Sequence, residues 1–165
     1  MSTIHYARAQ FAINQINLQA IAQHMYELML RNISTAGFVF SDPNNPQQYS
    51  LPGCVLASPS FPAIQSNINQ DYVFNWVRDA SIAAIEVAAA NPPVRPGGGV
   101  ETLVDYVTFA QICQNNAAQA GQPTRAAFTI EGGLRDWSNQ NDGPALQTLA
   151  ILAVLVAAGF YSLML

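Results

Sequence analysis

The sequence predicts an all-α fold on three observations. Apolar residues recur at helical spacing between Ser2 and Arg31 and again after Gly99. Residues that start or stop helices punctuate the chain at Asp79, Asn91-Pro92-Pro93, Gly121 and Asp142-Gly143-Pro144. The run from Gly143 to Leu165 holds 23 residues and no charged side chain, as expected of a helix buried on nearly all sides. About four helices follow from this reading, with a short hairpin or loop between the first two.

The first helix runs from a Ser2 or Thr3 cap to about Arg31. Phe11, Leu18, Ile21, Met25 and Leu28 form its apolar stripe, with Asn14, Gln15, Gln19 and Gln23 largely off it. His5 and His24 lie here, and neither is given a chemical role. Ala36–Phe40 and Gly53–Ala57 are strand-like, and the turn formers Ser41-Asp42-Pro43-Asn44-Asn45-Pro46 separate them. Asp79 is the expected cap of a second helix, Ala80 to about Ala90. Pro96-Gly97-Gly98-Gly99 launches a third helix to about Ala120, with Val100, Leu103, Val104, Val107 and Ala110 as its apolar face and Gly121 at C′. Pro123 to Asn141 lacks periodicity and carries Glu131, Asp136 and Trp137, the mark of a functional loop. Asp142-Gly143-Pro144 opens the last helix, with the Asp142 carboxylate expected to accept from free backbone N–H groups.

Composition narrows the function classes. The chain of 165 residues is 50% hydrophobic and only 10% charged, against about 25% charged in an average globular domain. It therefore reads as the inner part of something larger. A net charge of −4 with six Lys and Arg residues and no basic run argues against a nucleic-acid partner. Cys54 and Cys113 have no metal-ligand spacing; they could pair, and two buried free thiols are the preferred expectation. The N-terminus lacks the basic and apolar regions of a signal peptide, and the compartment is left open. The last helix is long enough to span a bilayer. Gln147, Thr148 and Gly159 interrupt it and no basic flank follows, so a buried inner helix is preferred to a membrane.

The most informative stretch is Asp71-Tyr72-Val73-Phe74-Asn75-Trp76-Val77-Arg78-Asp79. Extended, it would place Tyr72, Phe74, Trp76 and Arg78 on one side. Aromatic faces beside a guanidinium and a carboxylate suit a polyhydroxylated ligand, the rings covering sugar C–H faces and the charges bonding hydroxyls. The plainer reading makes the aromatics core and Asp79 a helix cap with Arg78 as its ion-pair partner.

Tyr72-x-x-x-Trp76-x-Arg78-Asp79 resembles the signature that lines the sugar-binding subsite of the glucoamylase family of glycoside hydrolases. Ala57-Ser58-Pro59-Ser60 upstream and Asn141-Asp142-Gly143-Pro144-Ala145-Leu146 downstream are similar to further family segments, in the same order. The resemblance covers roughly Gly53 to Ile151 and implies part of an (α/α)6 barrel, a toroid of paired helices. It implies release of glucose from non-reducing ends of α-1,4-glucans with inversion, an α-glucan or maltooligosaccharide substrate, and no cofactor or metal. Tyr72 and Trp76 would line the subsite for the terminal glucose, Arg78 and Asp79 would bond its distal hydroxyls, and Trp137 would join them. The family's two catalytic glutamates lie beyond the Asp-Gly-Pro-Ala-Leu helix, so none is assigned in this chain. The whole chain, residues 1–165, is expected to be the N-terminal portion of one catalytic domain, completed by a C-terminal part. The family's Trp-Gly-Arg-Pro-Gln is replaced by Trp137-Ser138-Asn139-Gln140-Asn141: the tryptophan is displaced by a one-residue gap, and the arginine after it is missing. The family places neither catalytic group at Glu131.

Overall fold

A computed structural model describes residues 3–42, 45–57, 73–90 and 100–159. Ser2, Ser58-Pro59-Ser60, Asp71, Tyr72, Asn91-Pro92-Pro93, the Pro96–Gly99 turn and the residues after Gly159 lie outside them. The chain divides into two units, Met1–Arg31 and Asn32–Leu165.

The first unit is a single helix, α1 (Thr3–Leu30), close to the expected bounds. Leu18, Ile21, Met25 and Leu28 of its apolar stripe are exposed, as they must be on a helix taken alone. Gln23 Nε2 donates to Glu27 Oε1 at 2.9 Å, a same-face pair one turn apart.

Among the described residues the second unit holds three helices and four short strands: β1 (Ser41–Asp42), β2 (Asn45–Tyr49), β3 (Asn75–Trp76), α2 (Val77–Ala89), α3 (Val100–Gln119), β4 (Ala127–Phe128) and α4 (Gly143–Ala157). The all-α expectation holds, and the strands form only two small antiparallel pairs, β1 with β2 and β3 with β4. The hairpin lies later than expected. β1 and β2 occupy the Ser41–Tyr49 stretch whose first half reads as turn, while Ala36–Phe40 and Gly53–Ala57 carry only isolated bridges, Thr35 to Phe38 and Ile33 to Val55. Gly53–Leu56 pairs back onto Asn32–Ser34 through Gly53 N–H to Ser34 O (2.8 Å), Ser34 N–H to Cys54 O (2.9 Å) and Leu56 N–H to Asn32 O (2.8 Å).

Helix packing follows small residues. α2 buries Val77, Ala80, Ser81, Ala84, Val87 and Ala88, and α4 buries Gly143, Gln147, Ala150 and Val154. Both sets repeat at steps of three and four, one face each. They meet closely: a Cβ on Gly143 would sit 3.3 Å from Val77 Cγ1. α4 is thus buried along one face, not on nearly all sides, and Leu149, Leu152 and Val156 are exposed. No described helix is long and apolar enough to cross a membrane.

The buried face of α3 is rotated from the expected one. Leu103 and Ala110 are buried as read, but Val104 is 46% exposed, and Thr102, Tyr106, Phe109, Cys113 and Ala117 complete the face. Its end is a Schellman motif, with Gly121 N–H to Ala118 O, Gln122 N–H to Ala117 O and a positive φ of 68° at Gly121. The central cluster gathers Phe40, Cys54, Leu56, Val73, Val77, Phe109, Cys113, Phe128 and Ile130. Cys54 and Cys113 are free thiols within it, and burial pushes both above the usual thiol range.

Candidate saccharide-binding site

The site forms where β3 runs directly into α2. Burial alternates here: Val73, Asn75 and Val77 are buried, and Phe74 and Trp76 are half-buried on the other side. The extended run stops at Trp76, so the period-two alignment of Arg78 with the aromatics does not occur. Trp76 is the N-cap residue, with an extended φ/ψ of −88° and 124°. Val77 N–H donates to Ala126 O at 3.0 Å, so a carbonyl just before β4 satisfies one of the free backbone donors at the helix start. This moves the helix start ahead of Asp79. Asp79 therefore lies exposed in the first turn instead of capping it, where a carboxylate is favoured by the helix dipole.

Arg78 pairs not with Asp79 but with Asp142. Arg78 Nη2 and Nε both reach Asp142 Oδ2, at 2.7 and 2.8 Å. The ion pair ties the start of α2 to the start of α4, and its side chains are 46% and 48% exposed. Asp142 occupies the N-cap position of α4, with Pro144 in the first turn as expected. Its side chain makes no cap hydrogen bond, which corrects the expected use of this carboxylate: the arginine holds it.

Opposite β3 stands the irregular segment around β4, where Asn75 faces Phe128 and Trp76 faces Ala127. This pairing brings Trp137 onto Trp76, with ring centroids 5.2 Å apart at 83°, an edge-to-face contact. Trp137 is 42% exposed. Arg135 joins them. Its guanidinium lies 3.9 Å from the centroid of Phe74, 4.9 Å from that of Trp137 and 5.8 Å from that of Trp76, each within cation–π range. The arginine missing after Trp137 is thus met by one that approaches the same indole from two residues before it.

Arg125 supports this segment. It donates to the Trp137 carbonyl and to Gln122 Oε1, lies 3.9 Å from Asp136, and bridges Asn139 through its backbone. Asn75 supports β3 from below, its buried Oδ1 accepting from Val55 N–H at 3.2 Å. Glu131 is exposed and accepts from Gln48 Nε2 at 2.9 Å.

Of the five residues singled out in the sequence, the structure brings Trp76 and Trp137 into contact and leaves Arg78 and Asp79 exposed on the first turn of α2. Tyr72 lies outside the described residues. Asp142 as the partner of Arg78, and Arg135 and Arg125 around the indoles, are not singled out by the sequence. Phe74 stood inside the motif and Asp142 inside the helix signal. Arg135 had only one cue, a cation two residues from a loop tryptophan.

The sequence pattern of glycosyl hydrolases family 15 matches residues 23–162 of this chain. The chain is 31% identical over 122 residues to an intracellular sporulation-specific glucoamylase of Saccharomyces cerevisiae, covering 63% of this chain and 20% of that protein. It is 30% identical over 124 residues to glucoamylase S1 of the same yeast, covering 64% of this chain and 14% of that protein. A probable glucoamylase of Schizosaccharomyces pombe is 29% identical over 133 residues, covering 75% of this chain and 26% of that protein. This chain therefore spans about a quarter or less of the relatives it matches. No solved structure matches it.

Proposed function

The chain belongs to glycosyl hydrolases family 15, and on that premise we propose that it carries the subsite for the terminal glucose of a glucoamylase-type enzyme. The reaction would release glucose from non-reducing ends of α-1,4-glucans with inversion. The observation that carries the reading is the junction of β3 and α2. There two indoles in contact, Trp76 and Trp137, adjoin a helix start bearing Arg78 and Asp79. Such a surface has apolar faces for a pyranose ring and charged groups for its hydroxyls. Tyr72 completes the set by resemblance.

In this reading Arg78 is positioned by Asp142, and Asp79 and Arg78 together select the hydroxyls found only at a non-reducing end. Inversion needs a carboxylic acid to protonate the leaving oxygen and a carboxylate to activate water, held about 6.5–9.5 Å apart. Neither role is assigned to a residue of this chain. The residues 1–165 form the N-terminal portion of one catalytic domain, hold saccharide, and do not hydrolyse it without the remaining part of the barrel. The partners are an α-glucan or maltooligosaccharide and that remaining part, with no nucleic acid and no membrane.

Titration calorimetry with maltotriose tests the binding half: saturable heat in the wild-type chain, lost in Arg78→Met and Asp79→Asn, is expected. Glucose assay of the same samples tests the other half. Glucose release by this polypeptide alone would overturn the assignment of catalysis to groups outside it. A non-catalytic glucan-binding role predicts the same heat, and is favoured over the enzyme if adding the rest of the barrel brings no turnover.

A further inference from the structure

The guanidinium of Arg135 is seated in the aromatic cluster, closest to Phe74, next to Trp137 and then to Trp76, at 3.9, 4.9 and 5.8 Å. A cation centred among three rings restrains all three, because each negative ring face is drawn towards it. Trp76 is fixed by β3, and Phe74 directly precedes that strand and is half-buried. Trp137 sits on a segment with no regular structure and is exposed. Arg135 therefore constrains mainly the orientation of Trp137. It also lies over Phe74, which removes that ring as a platform for ligand and leaves the indoles as the aromatic surface.

We infer that Arg135 is a positioning and specificity-determining residue of this site: it holds the Trp137 indole perpendicular to Trp76 so that a pyranose ring meets one defined aromatic face. The inference rests on the saccharide-subsite reading above. It predicts that saccharide affinity depends on the cation and not only on the bulk of the side chain.

The test compares the wild-type 165-residue chain with R135M, which keeps length and apolar volume, and R135K, which keeps charge without the planar fork. Two readouts are taken: the circular-dichroism couplet of the paired indoles, and maltotriose affinity from tryptophan emission. R135M is expected to lose the couplet and to bind maltotriose roughly tenfold more weakly. R135K is expected to recover part of both, and if R135M does not fold, a partial loss in R135K carries the prediction alone. Wild-type affinity in R135M, with or without the couplet, overturns the inference and leaves the subsite standing. So does an unchanged couplet and affinity in R135K when R135M does not fold. Absence of a saturable maltotriose response in the wild type overturns both.

Discussion

The charged edge and the aromatic edge of the site are built in opposite ways. The charged edge, Arg78 with Asp142, joins two helix starts through a single ion pair, and it stands half exposed in solvent. The aromatic edge, Phe74, Trp76, Arg135 and Trp137, depends on contacts between segments some sixty residues apart in the chain, through β3–β4 pairing and the hydrogen bonds of Arg125. Solvent weakens the first edge energetically while leaving it free to bind. The second gains stability from ring–ring and cation–π contacts but requires an irregular loop to hold its shape. Mutations should therefore separate the edges: those beneath the aromatic edge cost stability, and those in the charged edge cost binding.

The largest effect comes from a close backbone approach in the core, outside both edges. Gly53 adopts φ +83°, and a Cβ there would lie 2.0 Å from the Asp105 carbonyl oxygen. Gly53→Ala is expected to destabilise the chain by more than about 3 kcal/mol, seen as a collapsed urea midpoint. Asn75→Ala strips the acceptor from the buried Val55 N–H and should cost about 1–3 kcal/mol, with red-shifted tryptophan emission as β3 loosens. Arg125→Met releases the Trp137 carbonyl and should cost about 1 kcal/mol, detected as faster quenching of Trp137 by iodide.

The charged edge should respond the other way. Asp142→Asn leaves thermal stability within about 1 kcal/mol of wild type, since an exposed ion pair contributes little. It weakens the hold on Arg78, leaving an uncharged acceptor in place of the carboxylate, and maltotriose binding should weaken in calorimetry. The smallest effect is a pH dependence away from both edges. Burial, and secondarily repulsion by Glu101, hold the Asp105 carboxyl above the usual carboxylate value. A group whose folded-state value is raised contributes stability that is complete below the unfolded value and is lost as pH rises through the folded one. Asp105→Asn should accordingly flatten the fall in melting temperature from acid to neutral pH.

How much was legible in the sequence follows the same division. α1, the Schellman end of α3 at Gly121 and the Pro144 start of α4 are written in local residues, and they stand where those residues put them. α2 starts three residues earlier than its local residues indicate, at Val77, whose N–H is met by the carbonyl of Ala126, far along the chain. Arg78 and Asp79 are neighbours in sequence, yet the ion pair reaches across 64 positions to Asp142, which spacing cannot reveal. The face of α3 was misjudged because Thr102, Tyr106 and Cys113 face the core, while Val104, more apolar than two of them, faces solvent. The turn formers of Ser41–Pro46 hid a strand pair, since Pro46 is tolerated where a strand lies at an edge. Arg135 is not legible as a site residue because its partners Phe74 and Trp76 lie some sixty residues earlier in the chain, at and just before β3.

The central claim is that Trp76 and Trp137 bind one saccharide together, and the chain holds two tryptophans in all. Nitrogen-15 correlation spectra of the indole Nε1–H groups during a maltotriose titration test it most directly. Both indole signals should shift and saturate along a single binding curve, and Asp79→Asn should abolish both shifts. Two unmoved indole signals, or only one that moves, would contradict a shared subsite.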